Sequence, residues 1–543
     1  MGIPESYSPV MDDIINLLKK YGLNDWWRIN ITVFQRLNID NQKYRQLHKL
    51  INNMSIVIPL ILSTILVLNK LISELISIFF IKKCGVRSDG QNVLFVTHNR
   101  WTWKSDSETG NKKLSFDYYD SIRRLFPQNV DVTYIQDGLF GINYIKLFDV
   151  IRYGSYPITT LVKYTTFNHL RLIFKSYPGL KLICKYIEDD DSIGLRKLSD
   201  TVGKDIVDVK NDLKISILTN YLSTIIHDDV VKHCLTERRA NCVVLISEQS
   251  EFGRSWVKTS NEHRIATFGL QHGILEHIGE GINLPYCCIR IPNRDDRVMY
   301  PIPDNMLVYG LNDKEYLIST LNYPEDKIEV TGNPRYDILY NIHNRYSRMD
   351  FCKKHSLDSS SKIVLWIMQM IGFSKEENEL YLNEVLSVIS STPDIILIMK
   401  RHPADSESHM TLIQDFILKY GVEDRVIIPK VNEDTTELIY ISDIIINKHS
   451  TAGQEVVALK KPMLILDFTS DIKLNPYVLG GVGIPLSSQG MLKEVLNNLF
   501  IFLDQISDEQ QTSYIKNHLY RIDGLSSQRV VDTIMQHIKT SNN

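Results

Sequence analysis

The chain has 543 residues, 43% of them hydrophobic and 23% charged. That composition belongs to a globular protein with a substantial core and excludes the disordered class. The length suits about three to five domains, or two large ones with extensions. Sixty-one basic against 64 acidic side chains give a formal charge of -3, which excludes a whole-protein basic field for nucleic acid.

Seven cysteines are spread thinly (Cys84, Cys184, Cys234, Cys242, Cys287, Cys288, Cys352) and none forms a CxxC pair. A disulfide framework or zinc ribbon is not expected, and a reducing cytoplasm is. The first 30 residues hold no apolar run with a small-residue cleavage site, so no secretory signal is expected.

Residues 54–81 form the first unusual segment. The pure apolar run from Ile56 to Leu68 is shorter than the roughly 20 residues of a membrane span. Extending it to Ile81 brings in Asn69, Lys70 and Glu74, with Lys70 and Glu74 spaced to pair on one helical face. Three readings stand: a buried helix, an in-plane membrane helix with basic flanks (Lys43, Arg45, Lys49, Lys82, Lys83), and a single span.

From about residue 90 the pattern becomes short, β-branched apolar runs between amphipathic stretches. Strands are predicted at Asn92–Thr97, Val130–Ile135, Cys242–Ser247, Ile265–Leu270, Met306–Tyr309 and Lys327–Thr331. Residues 160–235 read as mostly helical, and Glu188–Asp191 as a solvated acidic loop. After a polar joint at Asn341–Ser361, a second series follows. Its strands are Lys362–Met368, Asp394–Met399, Arg425–Ile428, Asp443–Asn447 and Pro462–Asp467, alternating with helices at Asn378–Ser390, Met410–Tyr420, Thr435–Ile441 and Gln454–Leu459. Such alternation predicts two doubly wound α/β domains, whose ligands bind beyond the carboxyl ends of the strands.

Three strand ends carry chemistry. Lys400-Arg401-His402-Pro403 follows one strand directly; Pro403 restricts the residue before it, and the three cations suit a phosphate. Lys448 to Glu455 (KHSTAGQE) follows another. There Thr451 and Gln454 have capping-box spacing, which predicts a helix start with anion-ready N–H groups. Ser450 and Thr451 add hydroxyls, Gly453 admits a ligand to the backbone, and Glu455 could accept from ribose hydroxyls. In the first domain Gln271-His272-Gly273 follows a strand, and an imidazole there suits a general base. Glu248, Glu251, His98 and Asp137 lie past other strand ends, and any of these carboxylates could orient that histidine or serve as the base instead. Arg294–Arg297 reads as a surface loop, and Gly480-Gly481-Val482-Gly483 lacks the setting of a dinucleotide fingerprint.

KRHP (400–403) followed by SDIIINKHSTAGQEVVALKKPMLILD (442–467) resembles the HP and S/T motifs of GT-B transferases that use nucleotide-activated donors. These include capsule polysaccharide glycosyltransferases, bacterial sialyltransferases and CDP-glycerol glycerophosphotransferases. FGLQHG (268–273) resembles the HG motif of the last group. VTGNPRYDIL (330–339) is similar to this superfamily and also to the non-hydrolysing UDP-N-acetylglucosamine 2-epimerases.

The resemblance implies a GT-B fold: two Rossmann-like domains facing a cleft, with an N-terminal helical extension. The divisions expected are an extension at 1–90, an acceptor domain at 91–345, a nucleotide-donor domain at 346–505 and a helical tail at 506–543. It implies that His402, with Lys400 and Arg401, meets the donor phosphate, that Ser450, Thr451 and Gly453 hold it, and that Glu455 lies near the ribose. His272 or Glu248 would be the base. The donor would be CMP-, CDP- or UDP-linked, with no cofactor or metal, and the acceptor a glycan or lipid-linked hydroxyl. The protein would work in the cytoplasm at the inner face of the membrane, touching it through 54–81, without nucleic acid. A 2-epimerase and a non-catalytic nucleotide-binding protein are the alternatives.

Overall fold

The structure, a computed structural model, describes residues 7–23, 25–28, 58–80, 90–97, 102–105, 112–116, 119–139, 158–273, 275, 301–370, 373–402, 405–430, 433–498 and 506–541. His98, Pro403, the 294–297 loop, the basic flanks of 54–81, Cys84, Cys287 and Cys288 lie outside these residues.

Two parallel sheets organise the chain. The first holds β1 (Gln91–Thr97), β4 (Val130–Gln136), β5 (Ile158–Thr160), β6 (Cys242–Leu245), β7 (Ala266–Leu270), β8 (Asn305–Val308) and β9 (Ile328–Val330), in the order β5-β4-β1-β6-β7-β8-β9. The second holds β10 (Lys362–Ile367), β11 (Ile395–Lys400), β12 (Val426–Ile427), β13 (Ile444–Asn447), β14 (Met463–Leu466) and β15 (Ile484–Leu486), in the order β12-β11-β10-β13-β14-β15. An antiparallel hairpin of β2 (Thr102–Ser105) and β3 (Lys112–Ser115) stands apart. Each parallel sheet runs outward in both directions from its first strand. Connections must therefore cross to opposite faces, and a crevice opens at the carboxyl ends where the direction reverses.

The strands are apolar on both sides because both faces are covered. In β1, Val93 and Phe95 enter one core while Leu94 and Val96 enter the other. In β10, Val364 and Trp366 oppose Ile363, Leu365 and Ile367 in the same way. This alternation is the two-residue period of a strand buried on both faces.

The joint expected at Asn341–Ser361 is ordered. Arg348 clamps Asp443 through both guanidinium nitrogens at 2.8 and 3.0 Å, and Phe351 and Cys352 enter a core of the second sheet. The expected C-terminal tail divides. Asp508–Tyr514 leads into a π-helical turn, Ile515–Leu519, whereas the last helix, Ser526–Ser541, lies on the first sheet. Its Val530, Val531, Ile534 and Ile538 complete the core under Val93 and Phe95. Asp337 accepts from the N–H groups of Ser526 and Ser527 at 2.8 and 2.7 Å, placing negative charge at that helix's positive end.

Where the chain turns back, His518 stacks on Tyr514 and meets Asn312 of the first domain at 3.1 Å. Burial pushes its pKa down to about 4. Unfolded, the same side chain takes up a proton near 6.5. Between those values the unfolded chain binds more protons, so stability is full above pH 6.5 and falls as the pH drops towards 4. The contribution lost is about 3 kcal/mol. Melting curves across that window should slope less in His518→Gln than in the native chain; parallel slopes would contradict the assignment.

The segment expected near the membrane forms α1 (Ile58–Phe80), and no helix among the described residues is long and apolar enough to cross a membrane. Ile58, Leu62 and Leu66, one turn apart, enter the core of the first domain, and Asn69 donates to the Leu139 carbonyl at 2.6 Å. Lys70 donates to the Thr165 carbonyl, while the side chain of Glu74, its expected partner, lies outside the described residues. The acidic cluster is solvated as expected at Glu188, Asp189 and Asp191, but half of it is helical and much of it is paired. It closes α2 (Phe167–Asp189), where Asp190 accepts from Lys20 at 2.7 Å and Tyr21 at 2.6 Å, Asp191 pairs with Lys210 at 3.2 Å, and Glu188 pairs with Lys214.

Candidate functional site

The reversal in the second sheet falls between β10 and β13, which pair in parallel. Gln369, two residues past β10, accepts from the His449 backbone N–H at 3.2 Å and so bridges the crevice. β11 flanks β10 on the other side. Two strand spacings put the ends of β11 and β13 roughly 10 Å apart. The two loops singled out in the sequence thus rise from the same edge of one sheet.

The loop after β11 uses its three cations differently. Lys400 is buried, and desolvation lowers its pKa while Glu433 and Asp434 act in the opposite sense. Arg401 folds back, donating to the carbonyls of Asp405 and Ser406 at 3.3 Å. Only His402 is exposed, and its backbone N–H is fixed by Asp405 at 2.9 Å. The expected cluster of three outward charges reduces to one outward imidazole on a braced turn.

The loop after β13 also differs from expectation. The helix there, Gly453–Ala458, has six residues, and Ala452 rather than Thr451 is its N-cap. The Gly453 and Gln454 N–H groups bond to the Ser450 and Thr451 carbonyls at 3.0 Å, so the capping-box spacing belongs to a turn. Ser450 Oγ accepts from the Ala452 N–H at 3.3 Å, and Thr451 is exposed. Gly453 is needed for packing: a Cβ would lie 2.4 Å from the Tyr477 ring and 2.7 Å from Asn447 Nδ2. Glu455 is buried and accepts from Thr436 Oγ1 at 2.6 Å.

Beneath this loop lies a buried polar network that no spacing in the sequence announced. Asp467, just past β14, meets Lys448 Nζ at 3.2 Å and His449 Nε2 at 3.6 Å. The Lys448 ammonium also bonds to Tyr381 Oη at 2.9 Å and sits 4.0 Å from the Phe373 ring centre. Asn475 donates to the Lys448 carbonyl at 2.7 Å. The Lys448-His449 pair therefore anchors the Ser450–Thr451 turn to the sheet. The only sequence signal was the placement of Asp467 and Lys448 at neighbouring strand ends.

In the first domain β6 and β7 pair Leu245 with Gly269, so Glu248 and His272 each lie three residues past a paired position. Glu248 is buried, and its Cγ would lie 3.1 Å from a Cβ on Gly269. His272 is half-buried, and among the described residues nothing lies within 4 Å of a Cβ built on Gly273. Gln271 holds the turn by accepting from the Tyr309 N–H at 2.7 Å and donating to Asp313 at 3.0 Å. Asp137 faces inward instead, bonded to His227 at 3.0 Å and Trp256 at 3.1 Å. Glu251 opens the helix Glu251–Glu262, capped by the Ser250 side chain.

Residues 306–536, which include the whole second sheet, match the family CDP-glycerol:poly(glycerophosphate) glycerophosphotransferase. The match spans less than half of the chain, so the likeness to that family belongs to this part of it. No curated protein matches this chain. Among solved structures, the wall teichoic acid polymerase TagF is similar at 14% identity, covering 87% of this chain and 94% of its own, with a TM-score of 0.45. The UDP-GlcNAc 2-epimerase from Neisseria meningitidis bound to UDP-GlcNAc is similar at 15% identity, covering 82% and 100%, with a TM-score of 0.46. A glycosyltransferase from Rickettsia africae is similar at 13%, covering 82% and 99%, also at 0.46. At such identity and overlap these likenesses say nothing about activity.

Proposed function

We propose that this transferase moves a sugar or polyol phosphate from a nucleotide-activated donor to an acceptor hydroxyl in cell-surface polymer synthesis. The observation that carries the reading is the family match across the second sheet, whose direction reversal lies beside the His402 and Ser450–Thr451 turns. The donor would be CDP-, CMP- or UDP-linked and would be held by the domain at 346–505, with the acceptor against the domain at 91–345. His402 and the Thr451 hydroxyl would hold the leaving phosphate, supplying fixed donors where negative charge develops. Lys400, Arg401, Gly453 and Glu455 would shape the site from behind, through the contacts given above. Capsule or another envelope polymer would be the product class, and peripheral contact through 54–81 would bring the enzyme to a lipid-linked acceptor.

His272 is the favoured base because it is half-buried at its strand end, whereas Glu248 is buried. His272→Ala should lower kcat by about 10²–10⁴-fold with donor binding retained. A Glu248→Gln variant that loses more activity than His272→Ala, while still folded, would exchange the two roles.

The defining experiment incubates the chain with CMP-, CDP-, UDP- and GDP-linked donors, with and without acceptor, and follows products by mass spectrometry. Acceptor-dependent nucleotide release supports transfer. Conversion of a free nucleotide sugar would indicate an isomerase, and binding without turnover a non-catalytic protein.

A further inference from the structure

A cavity of about 460 Å³ lies between the two domains, within the size range of small-ligand sites. The helix Leu311–Ser319 and Thr320 line it from the first domain. The stretch carrying Leu474, Pro476 and Leu479 lines it from the second, and the helix Asp508–Tyr514 with the turn Ile515–Leu519 closes it. The second-domain wall follows β14, which stands on the side of β13 away from β10 and β11. This wall and His402 therefore flank the β10–β13 crevice from opposite sides. Asn475, between Leu474 and Pro476, is the residue that donates to the Lys448 carbonyl, so the cavity adjoins the network under the Ser450–Thr451 turn.

Its walls are held by close packing. A Cβ on Gly480 would lie 2.5 Å from the Tyr514 ring, and one on Gly481 2.5 Å from Gln510 Nε2. Tyr514 stacks on His518 at 4.1 Å, and Gln510 accepts from the Ser507 N–H at 2.8 Å. Such a site is formed in advance, which lowers the ordering cost of binding. The polar lining is carboxamides and hydroxyls: Asn312, Gln510 and Asn517 with Ser319, Thr320 and Ser513. None of the described lining residues is Lys or Arg; Lys473 and Lys516 adjoin lining residues in sequence without lining the cavity themselves. Burial pushes the His518 pKa down to about 4, so the imidazole is neutral near pH 7 and accepts from Asn312 at 3.1 Å. Glu315 is exposed and forms no ion pair with a described residue.

We propose that this cavity binds a neutral glycan segment, as a carbohydrate site separate from the catalytic crevice. Charge decides the ligand class: a phosphate or nucleotide would meet no countercharge and would be repelled by Glu315. Carboxamides donate and accept at once, hydroxyls do the same, and a carboxylate accepts at two oxygens, which together match a series of sugar hydroxyls. Leu474 and Leu479, both exposed, give the C–H face of a sugar ring an apolar surface. Glu315, Thr320 and Asn517 would take the hydroxyls at the ring edge. The site adds to the proposed transfer reaction without depending on it, because sugar binding needs no donor.

Isothermal titration of the full chain with neutral trisaccharides of glucose, galactose and N-acetylglucosamine tests it, with glycerol 3-phosphate and CDP as anionic competitors. At least one trisaccharide should give saturable heat that holds as salt rises, since no charge is neutralised. Neither competitor should displace it. Ser319→Trp, at an exposed position that lines the cavity, should abolish the heat. Glu315→Ala with Thr320→Val should weaken binding by about 10-fold or more, for hydrogen bonds lost, one of them to a charged acceptor. His402→Ala should leave it unchanged.

Should Ser319→Trp fail to fold, the Glu315→Ala, Thr320→Val pair decides. No heat from any of the three trisaccharides would overturn the proposal, as would displacement by glycerol 3-phosphate or CDP, or native affinity in the folded variants. Loss of sugar binding in His402→Ala would also overturn it, by placing the sugar in the crevice. Sugar binding is read without donor, and nucleotide release without added trisaccharide, so failure of this site and failure of the transfer reaction are told apart.

Discussion

His402→Ala is expected to lower the rate of nucleotide release by about 10²–10³-fold. The size of the effect follows from how the turn distributes its cations. Lys400 is buried and Arg401 is folded onto its own loop, so His402 alone presents a donor outward. Neither of the other two cations of that loop is placed to take over. The side chain is exposed and the turn is held by its backbone N–H to Asp405, so the substitution should leave stability within about 0.5 kcal/mol. Thr451→Val makes the companion test on the other turn. It is cleaner than Ser450→Ala, because Ser450 Oγ also accepts from the Ala452 N–H. Rate measured at saturating donor, beside a melting curve, separates lost catalysis from lost fold. Full turnover in both His402→Ala and Thr451→Val would contradict the placement of the leaving phosphate.

The second large effect concerns stability. Asp467→Asn should destabilise the chain by about 3–5 kcal/mol, read from urea unfolding, because it leaves the buried Lys448 ammonium without its carboxylate. Removing both charges is expected to be milder: in Asp467→Asn with Lys448→Met, part of the loss should return, since no uncompensated charge stays buried. The network anchors the turn that carries Thr451, so any Asp467→Asn protein that folds should also bind donor more weakly. If Asp467→Asn were as stable as the native chain, the carboxylate would not be holding Lys448 in place.

The two sheets were legible because their strands are buried on both faces, which leaves unbroken apolar runs such as NVLFVT and DIILIM. Shorter strands escaped: Ile158–Thr160 and Ile484–Leu486 have three residues each, and the hairpin Thr102–Ser105 with Lys112–Ser115 is mostly polar. Nothing in 506–543 says that its last helix crosses to the first sheet, because an amphipathic helix does not name the surface that receives it.

At the candidate site, the strand ends were found from the residues that follow them, while the use of each residue was not. KRH reads as three cations, yet burial of Lys400 and the fold-back of Arg401 depend on distant elements. The Thr451 and Gln454 spacing fits a cap, but the backbone turns there and starts the helix one residue later. Gly453 invited a ligand and instead makes room for Tyr477, which is 24 positions away. Gln369 was invisible, and Asp467 showed only as a strand-end residue, because their partners are brought in by strand order alone.

The most direct test of the central claim is calorimetric and thermal-shift binding of CDP, CMP and UDP to the native chain and to the His402→Ala, Thr451→Val double variant. A nucleotide seated at the β10–β13 crevice should raise the native melting temperature, by about 2.7 kcal/mol of added stability at a hundredfold excess over Kd. The double variant should lose most of that gain while melting at its usual temperature without ligand. Equal stabilisation of both proteins, or none of either by any of the three nucleotides, would contradict it.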